Sequence, residues 1–408
     1  MKCRHCCKNL RHTFVDLGVA PPSNAYLKGK AIKAFEKWYP LKVLVCNGCW
    51  LVQTEDIVDF DEMFSGDYAY FSSFSETWLE HARNYVEKMM ARFNLSSQSQ
   101  VVEVAANDGY LLQYVKLKGI PCYGVEPTHS TAMAARERGI DIVEAFFGEQ
   151  SALLLKKQRG QADLIIANNV LAHVPDINDF VKGFVRLLKP EGVASFEFPH
   201  LLNLVQLNQF DTIYHEHFSY LSLTAIRVIF EANGLIVFDV EQLQTHGGSL
   251  RIYAQRSEAV RHKINERVFE LQKKEDLVGM NTVGFYKGFQ QKADKIKMVF
   301  ITFLIEAKQQ GKSIAAYGAA AKGNTFMNYA GIRSDLISFV VDKNPAKQGS
   351  YMPGSRVRIV GEIYIKENQP DYVVIFPWNI RAEVIEQLAY IREWGGQFVV
   401  AIPELELL

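Results

Sequence analysis

The sequence lacks any run of about 18 consecutive apolar residues, so no membrane-spanning helix is expected. Nor does it carry an excess of charge of one sign. Its 45 Lys+Arg balance 45 Asp+Glu, which argues against nucleic acid as the main partner, because phosphate binding leaves a basic surplus. The opening residues, Met1-Lys2-Cys3-Arg4-His5-Cys6, contain no apolar core of a secretory signal. A soluble cytoplasmic protein is therefore expected, with its thiols reduced. A disordered composition is also missing: 48% of the residues are hydrophobic and 12% aromatic, as in folded chains. At roughly 100–200 residues per domain, 408 residues suggest two to four domains.

Cysteine is scarce but ordered. The six cysteines stand at 3, 6, 7, 46, 49 and 122, and four form two knuckles, Cys3-x2-Cys6 and Cys46-x2-Cys49. Two such pairs can set four thiolates tetrahedrally around Zn²⁺, the ion standing in for the core that so short a segment lacks. His5 and Cys7 offer other ligands, but Cys3, Cys6, Cys46 and Cys49 match in spacing. Four sulfur ligands leave no open position for water or substrate, so the expected zinc is structural. Cys122, in an apolar stretch, reads as a small buried hydrophobe.

The middle of the chain alternates strand and helix patterns. Val101-Val-Glu-Val-Ala-Ala-Asn-Asp-Gly109 reads as a buried strand entering a tight turn, and Tyr110 to Val115 as the start of a helix. Pro121 to Glu126 is a second strand ending in an acid, placed to accept hydrogen bonds from both ribose hydroxyls of a nucleoside. Ala162–Asn169 and Gly192–Glu197 are later strands. The pattern implies an α/β doubly wound sheet with its ligand at the carboxyl ends of the strands. The first turn lacks the Gly-x-Gly-x-x-Gly spacing that lets a pyrophosphate approach the backbone. It reads Glu103-x-Ala105-x-Asn107-x-Gly109, and a carboxylate there repels pyrophosphate but attracts the cationic methionine portion of S-adenosylmethionine. That cofactor is favoured over NAD on electrostatic grounds.

Glu103-Val-Ala-Ala-Asn-Asp-Gly-Tyr110, Gly124-Val-Glu-Pro127, Asn168-Asn-Val-Leu-Ala-His173 and Leu187-Leu-Lys-Pro-Glu-Gly192 resemble the motif series of class I methyltransferases. With the double knuckle, Tyr214-His-Glu-His217, His246-Gly-Gly-Ser249 and Tyr317-Gly-Ala-Ala-Ala-Lys322, the whole chain resembles the sugar C-methyltransferases of deoxysugar biosynthesis. The resemblance implies methyl transfer from S-adenosylmethionine to C-3 of a nucleotide-linked 4-keto-6-deoxyhexose. The nucleotide would be thymidine or guanosine diphosphate. The implied organisation is a zinc-binding, substrate-contacting module (1–72), a class I methyltransferase domain (73–256), and a helical connector with a second Rossmann-like unit (257–408). Many interdomain aromatics permit a monomer.

Methylating carbon requires a carbanion equivalent, which a ketone at C-4 makes accessible: loss of the C-3 proton gives an enolate. The protein must supply a base and stabilise the enolate oxygen. Tyr214-His-Glu-His217 is the densest cluster of suitable groups, and histidine titrates near neutral pH. In an extended segment His215 and His217 share one face; in a turn the sorting changes, so spacing does not choose the base. The resemblance assigns the base to His217, with Glu216 orienting the substrate and Tyr214 near the keto oxygen. It also implies site roles for His173 and for a tyrosine of the Asp67–Ser73 segment, with Tyr68 preferred for the chemistry and Tyr70 as a substrate contact. Cofactor contacts are expected from Glu103, Ala105, Asn107, Gly109, Glu126 and Asn168. Phe146, beside Phe147, is expected over the adenine, although a plain core pair reads equally well.

Beyond Gln255 the chain reads as a solvated, charged helical connector. Ser313–Gly318, Ser338–Asp342 and Tyr372–Phe376 then form a second, smaller doubly wound unit. Its turn, Gly318-Ala-Ala-Ala-Lys-Gly323, again lacks the dinucleotide spacing, yet Asp342 stands where a ribose-binding acid would. Lys322 and the adjoining amides are candidates for the diphosphate of a sugar nucleotide. His246-Gly-Gly-Ser249 allows a close backbone approach to a ligand, or a simple turn. Two rivals stand beside the methyltransferase: an NAD-dependent sugar-nucleotide oxidoreductase or epimerase working in the last unit, and a zinc-ribbon scaffold without catalysis.

Overall fold

A computed structural model describes residues 1–55 and 71–408. Strands β1 (His12–Ala20), β2 (Tyr39–Val45) and β3 (Val52–Thr54) form an antiparallel sheet next to the cysteine knuckles. Helix α1 (Glu76–Phe93) opens on Ser75, whose hydroxyl accepts from the Trp78 amide, and closes on Asn94 in the left-handed region. Its buried residues, Trp78, Ala82, Tyr85, Val86 and Met89, recur at helical spacing and so line one face.

The middle sheet contains β4 (Val101–Val104), β5 (Cys122–Val125), β6 (Ile142–Val143), β7 (Ala162–Asn168) and β8 (Leu188–Pro199). Next comes the short β9 (Ser219–Tyr220), which leaves this sheet and pairs with β3 instead. Helix α2 (Leu223–Ala232) follows, then β10 (Leu235–Leu243) and β11 (Ser249–Arg256). The order is β10-β11-β8-β7-β4-β5-β6. Only β11 runs against its neighbours, and the order reverses between β4 and β7, which opens a crevice at their carboxyl ends. Every residue of β4 is buried, as expected of a parallel strand covered on both faces.

The segment read from sequence as a solvated connector is in fact half core. In α3 (Glu266–Leu277) the Glu275 carboxylate is fully buried and caps α2, accepting from the Leu223 and Thr224 amides at 2.9 and 2.7 Å and lying 2.7 Å from His200 Nε2. In α4 (Phe289–Gln309) Phe289, Ala293, Ile296, Phe300 and Leu304 form an apolar stripe. Apart from Glu275, the charged residues at 273–276 and 292–295 are exposed, and that is the side that a sequence count detects. Strand β12 (Ile314–Tyr317), helix α5 (Ala321–Ala330), β13 (Phe339–Val341), β14 (Arg358–Val360), β15 (Tyr372–Ile375), β16 (Gln397–Val400) and β17 (Glu406–Leu407) complete the chain. The last sheet has the order β14-β13-β12-β15-β16-β17, parallel except for β17.

The amino-terminal residues are divided between two cores. Cys3, Cys46, Cys49 and Leu51 pack into the core of the middle sheet, whereas Phe14, Val15, Val43 and Val45 join α4 and the carboxyl-terminal sheet. Among the described residues no helix is long and apolar enough to cross a membrane.

Candidate active site

The sulfur atoms of Cys3, Cys6, Cys46 and Cys49 all lie within 4.8 Å of one another. Cys3 Sγ is 3.5 Å from Cys49 Sγ, and Cys6 Sγ is 3.5 Å from Cys46 Sγ. That is too long for a disulfide and near the ~3.8 Å edge of a tetrahedron with ~2.3 Å Zn–S bonds. Two polar hydrogens already point at sulfur, from Gln53 Nε2 to Cys3 and from the Gly48 amide to Cys46, each at 3.3 Å. Such support suits thiolate ligands. Cys7 is exposed and His5 pairs with Asn178, so neither competes as a ligand. The donors fit a structural Zn²⁺.

The crevice above β4 and β7 is built from a strained turn. Ala105 and Asn107 adopt φ of 57° and 49°, a region that side chains rarely enter, and Gly109 follows at 76°. Gly109 has a second reason to lack a side chain: a Cβ would stand 3.0 Å from Ile140. Glu126, at the end of β5, fixes the turn by accepting from the amides of Asn107 and Thr128, each at 2.9 Å. Asn107 Oδ1 accepts from the Ser72 amide, and Asp108 from the Ser73 hydroxyl and Arg138. Glu103 is buried, and neither of its oxygens has a hydrogen-bond partner among the described residues. Burial pushes its carboxyl well above the usual range, with Asp108 and Glu126 adding to the effect. A buried acid beside two others, with only Tyr110 working against its desolvation, favours a cation nearby. The residues present thus fit a nucleoside whose other end is positively charged.

Asn168 ends β7, and its Oδ1 likewise has no partner among the described residues. Phe147 packs against Phe180 and Phe184, while Phe146 is 51% exposed. The two rings are thus separated, one into the core and one to the surface. Tyr68 and Tyr70 lie outside the described residues.

The Tyr214–His217 segment is a turn, so the extended-strand sorting does not apply. Tyr214 and His217 face each other, with Tyr214 Oη 2.7 Å from His217 Nε2. His217 Nδ1 lies 3.0 Å from the Thr212 carbonyl, which can only accept, so Nδ1 carries the proton and Nε2 offers the lone pair to the tyrosine. Burial holds His217 well below the ordinary histidine range, with His173 adding to it. The His173 ring centre is 4.6 Å away, and burial draws that imidazole down to about 4. Both rings are therefore neutral at pH 7. His215 instead turns to the amino-terminal sheet, its Nε2 3.2 Å from the Tyr39 carbonyl. Glu216 accepts from Asn24 Nδ2 at 3.2 Å, and its second oxygen has no partner among the described residues.

His246 is in the left-handed region, φ 54°, with Nε2 3.1 Å from Asn169 Nδ2, and Asn169 is itself at φ 53°. The two following glycines make close approaches to protein: a Cβ on Gly247 would meet Trp378 at 2.3 Å, and one on Gly248 would meet Asn203 at 2.1 Å. Lys322 reaches out of the last unit toward the same place. Its Nζ donates to Asn379 Oδ1 at 2.7 Å and sits 4.1 Å over the Trp378 ring. Burial pulls this lysine down to about 8, with Asp211 opposing, and burial pushes Asp211 up to about 6.

Sequence reasoning missed several of these residues. Asn24, Asp211 and Trp378 come from three distant segments and carry no motif of their own. Trp378 follows β15, so its place at the carboxyl edge of the second sheet was the available signal. Also missed was the buried charge pair at the end of β8, where Glu197 binds Arg251 at 2.6 Å and His81 at 2.9 Å. Burial acts to raise the Glu197 carboxyl, but His81 and Arg251 outweigh it and hold it at about 2.

At the carboxyl edge of the last sheet the protein supplies partners of its own. The Ala319 carbonyl in its first turn accepts from Tyr26 Oη at 2.7 Å and Lys347 Nζ at 2.9 Å. Asp342 accepts from the Asn344 amide at 2.8 Å and lies 3.5 Å from Lys347 Nζ.

Residues 3–64 match the profile of a zinc binding domain, 78–240 that of a methyltransferase domain, and 244–403 that of a C-methyltransferase C-terminal domain. The C-methyltransferase NovU of Streptomyces niveus is 32% identical over 99% of this chain and 96% of its own length. Among solved structures, magnesium protoporphyrin IX methyltransferase from Synechocystis, crystallised with bound S-adenosylmethionine, is 16% identical. It covers 44% of this chain and 79% of its own, with a TM-score of 0.34. A Pyrococcus horikoshii protein is 15% identical over 48% of this chain and 100% of its own, with a TM-score of 0.39. At such scores these two add no weight; the full-length relative does, and with the domain profiles it establishes that the chain belongs to the S-adenosylmethionine-dependent C-methyltransferase family.

Proposed function

We propose that the chain methylates C-3 of a nucleotide-linked 4-keto-6-deoxy sugar, with the nucleotide a thymidine or guanosine diphosphate. The observation that carries this reading is the Tyr214–His217 pair, a neutral imidazole with its free lone pair aimed at a phenol 2.7 Å away. His217 Nε2 takes the C-3 proton, and the electrons of the C–H bond pass into the enolate on C-4. Tyr214 releases His217 and donates its hydroxyl to the keto oxygen, where negative charge develops. Glu216, held by Asn24 from the amino-terminal module, orients the sugar through its open oxygen, and His173 packs the base in place. Lys322 and His246 close the substrate side, and Tyr68 and Tyr70 are assigned to the sugar. Glu103, Glu126, Asn168 and the Ala105–Gly109 turn hold the cofactor, with Phe146 at the adenine; when bound, it supplies an electrophilic methyl on a sulfonium. Water exclusion from the base is consistent with the burial of His217.

His217→Asn is expected to abolish methyl transfer while leaving S-adenosylhomocysteine affinity within about twofold, as read by calorimetry; loss of that affinity would sink the assignment. Because burial lowers His217, the basic form persists in mild acid. The acid limb of kcat/KM should therefore lie below pH 6.5. A limb at or above pH 7 would exclude His217 as the base.

A further inference from the structure

We propose that Asp211 and Lys322, held in place by Trp378, form a donor–acceptor pair that binds one sugar hydroxyl, the one on C-2 beside the carbon that is methylated. This rests on the sugar C-methyltransferase reading above and specifies its substrate.

Trp378 makes three separate contacts with one ring system. Its indole Nε1 donates to Asp211 Oδ2 at 2.8 Å. Its ring face carries the Lys322 ammonium at 4.1 Å. Its far edge presses on Gly247, where even a methyl group would come within 2.3 Å of the ring. A single side chain of the last unit thereby fixes an acid of the middle unit, a cation of its own unit and the turn that bears His246.

What these contacts leave unused defines the ligand. Asp211 is buried, and its Oδ1 has no hydrogen-bond partner among the described residues. Lys322 has one acceptor, Asn379 Oδ1 at 2.7 Å, for an ammonium with three N–H bonds. A phosphate would satisfy Lys322 but be repelled by Asp211, and a cation would meet the reverse. A neutral hydroxyl satisfies both at once, accepting from Lys322 and donating to Asp211. Lys322 is thereby placed on the sugar rather than on the diphosphate.

The position follows from the chain. Asp211 directly precedes Thr212, whose carbonyl fixes His217 Nδ1, so the pair lies beside the base. Thr325 of α5 donates to the Ile213 carbonyl at 2.8 Å and ties this segment to the helix that bears Lys322. With C-3 at His217 and the C-4 oxygen at Tyr214, the remaining ring neighbour of C-3 is C-2.

The test compares kcat/KM of the zinc-loaded full chain on two substrates, the 4-keto-6-deoxyglucose nucleotide and its 2-deoxy counterpart, each as the thymidine and the guanosine diphosphate. A site built to hydrogen-bond a hydroxyl rejects the analogue lacking it, so the wild type should favour the 2-hydroxy sugar by about 100-fold or more. Asp211→Asn and Lys322→Met should each bring that ratio to within about fivefold of unity, and retained S-adenosylhomocysteine affinity reports that each variant is folded. Equal use of both sugars by the wild type, or an unchanged ratio in either variant, overturns the hydroxyl assignment and leaves the methyltransferase reading standing. Methylation of neither sugar overturns that reading, and the pair with it.

Discussion

The middle and carboxyl-terminal sheets share the same core of parallel strands, reversing order beside their first strand, yet their carboxyl edges are furnished in opposite ways. In the middle unit the turn after β4 lies among acids, Glu103 with both oxygens unpartnered among the described residues and Glu126 bonded to the turn's own amides. In the last unit the equivalent turn is occupied by Tyr26 and Lys347, and Asp342 has the backbone and that same lysine for partners. The middle edge presents a buried acid without a partner among the described residues, whereas on the other edge the Ala319 carbonyl and Asp342 are taken up by contacts within the protein. A shared topology therefore says where a ligand can bind and leaves the side chains to decide whether one does. The NAD-dependent rival would use that turn and Asp342, and both already have partners within the protein.

The comparison can be broken at its buried charges first. Glu197→Gln should cost about 3–5 kcal/mol, because Arg251 would be left in the interior without its partner. The stabilisation is present above the ordinary carboxylate range and is lost as pH falls through about 2. A thermal melt unchanged at pH 7 would show the pair to be dispensable. Next, Glu126→Ala should weaken S-adenosylhomocysteine by about 1–3 kcal/mol, the cost of losing charge-assisted hydrogen bonds. Asp342→Ala should leave that affinity alone. Calorimetry that finds equal losses would place the nucleoside in the wrong unit. The smallest effect is expected from Lys347→Ala, about 1 kcal/mol of stability for its hydrogen bond to Ala319. If the variant gains NAD⁺ binding, the lysine alone was closing the second site.

The legible parts of this protein were those written in local spacing. Cys3, Cys6, Cys46 and Cys49 were identifiable because a metal site made of two knuckles needs only two short intervals. The strand ending at Glu126 was identifiable because an acid there follows from the sheet's own geometry. Less was legible where a residue's role depends on its partner's position. His215 and His217 are identical in type and two apart, and only the turn sends one to Tyr39 and the other to Tyr214. Helix α4 read as solvated because charge is conspicuous in sequence, while Phe289, Phe300 and Leu304 are spread along it.

The sequence by itself determined the metal ligands, the succession of two doubly wound units and the family, since each rests on residue types at short range. The tertiary structure decided which histidine carries its lone pair toward the phenol, which of the two sheets presents a buried acid without a partner among the described residues, and that Asp211, Lys322 and Trp378 meet at all. The physical reason is the same for each. Hydrogen-bond direction and desolvation depend on what surrounds a group in space, and that surrounding is assembled from segments as far apart as Asn24, Asp211 and Trp378.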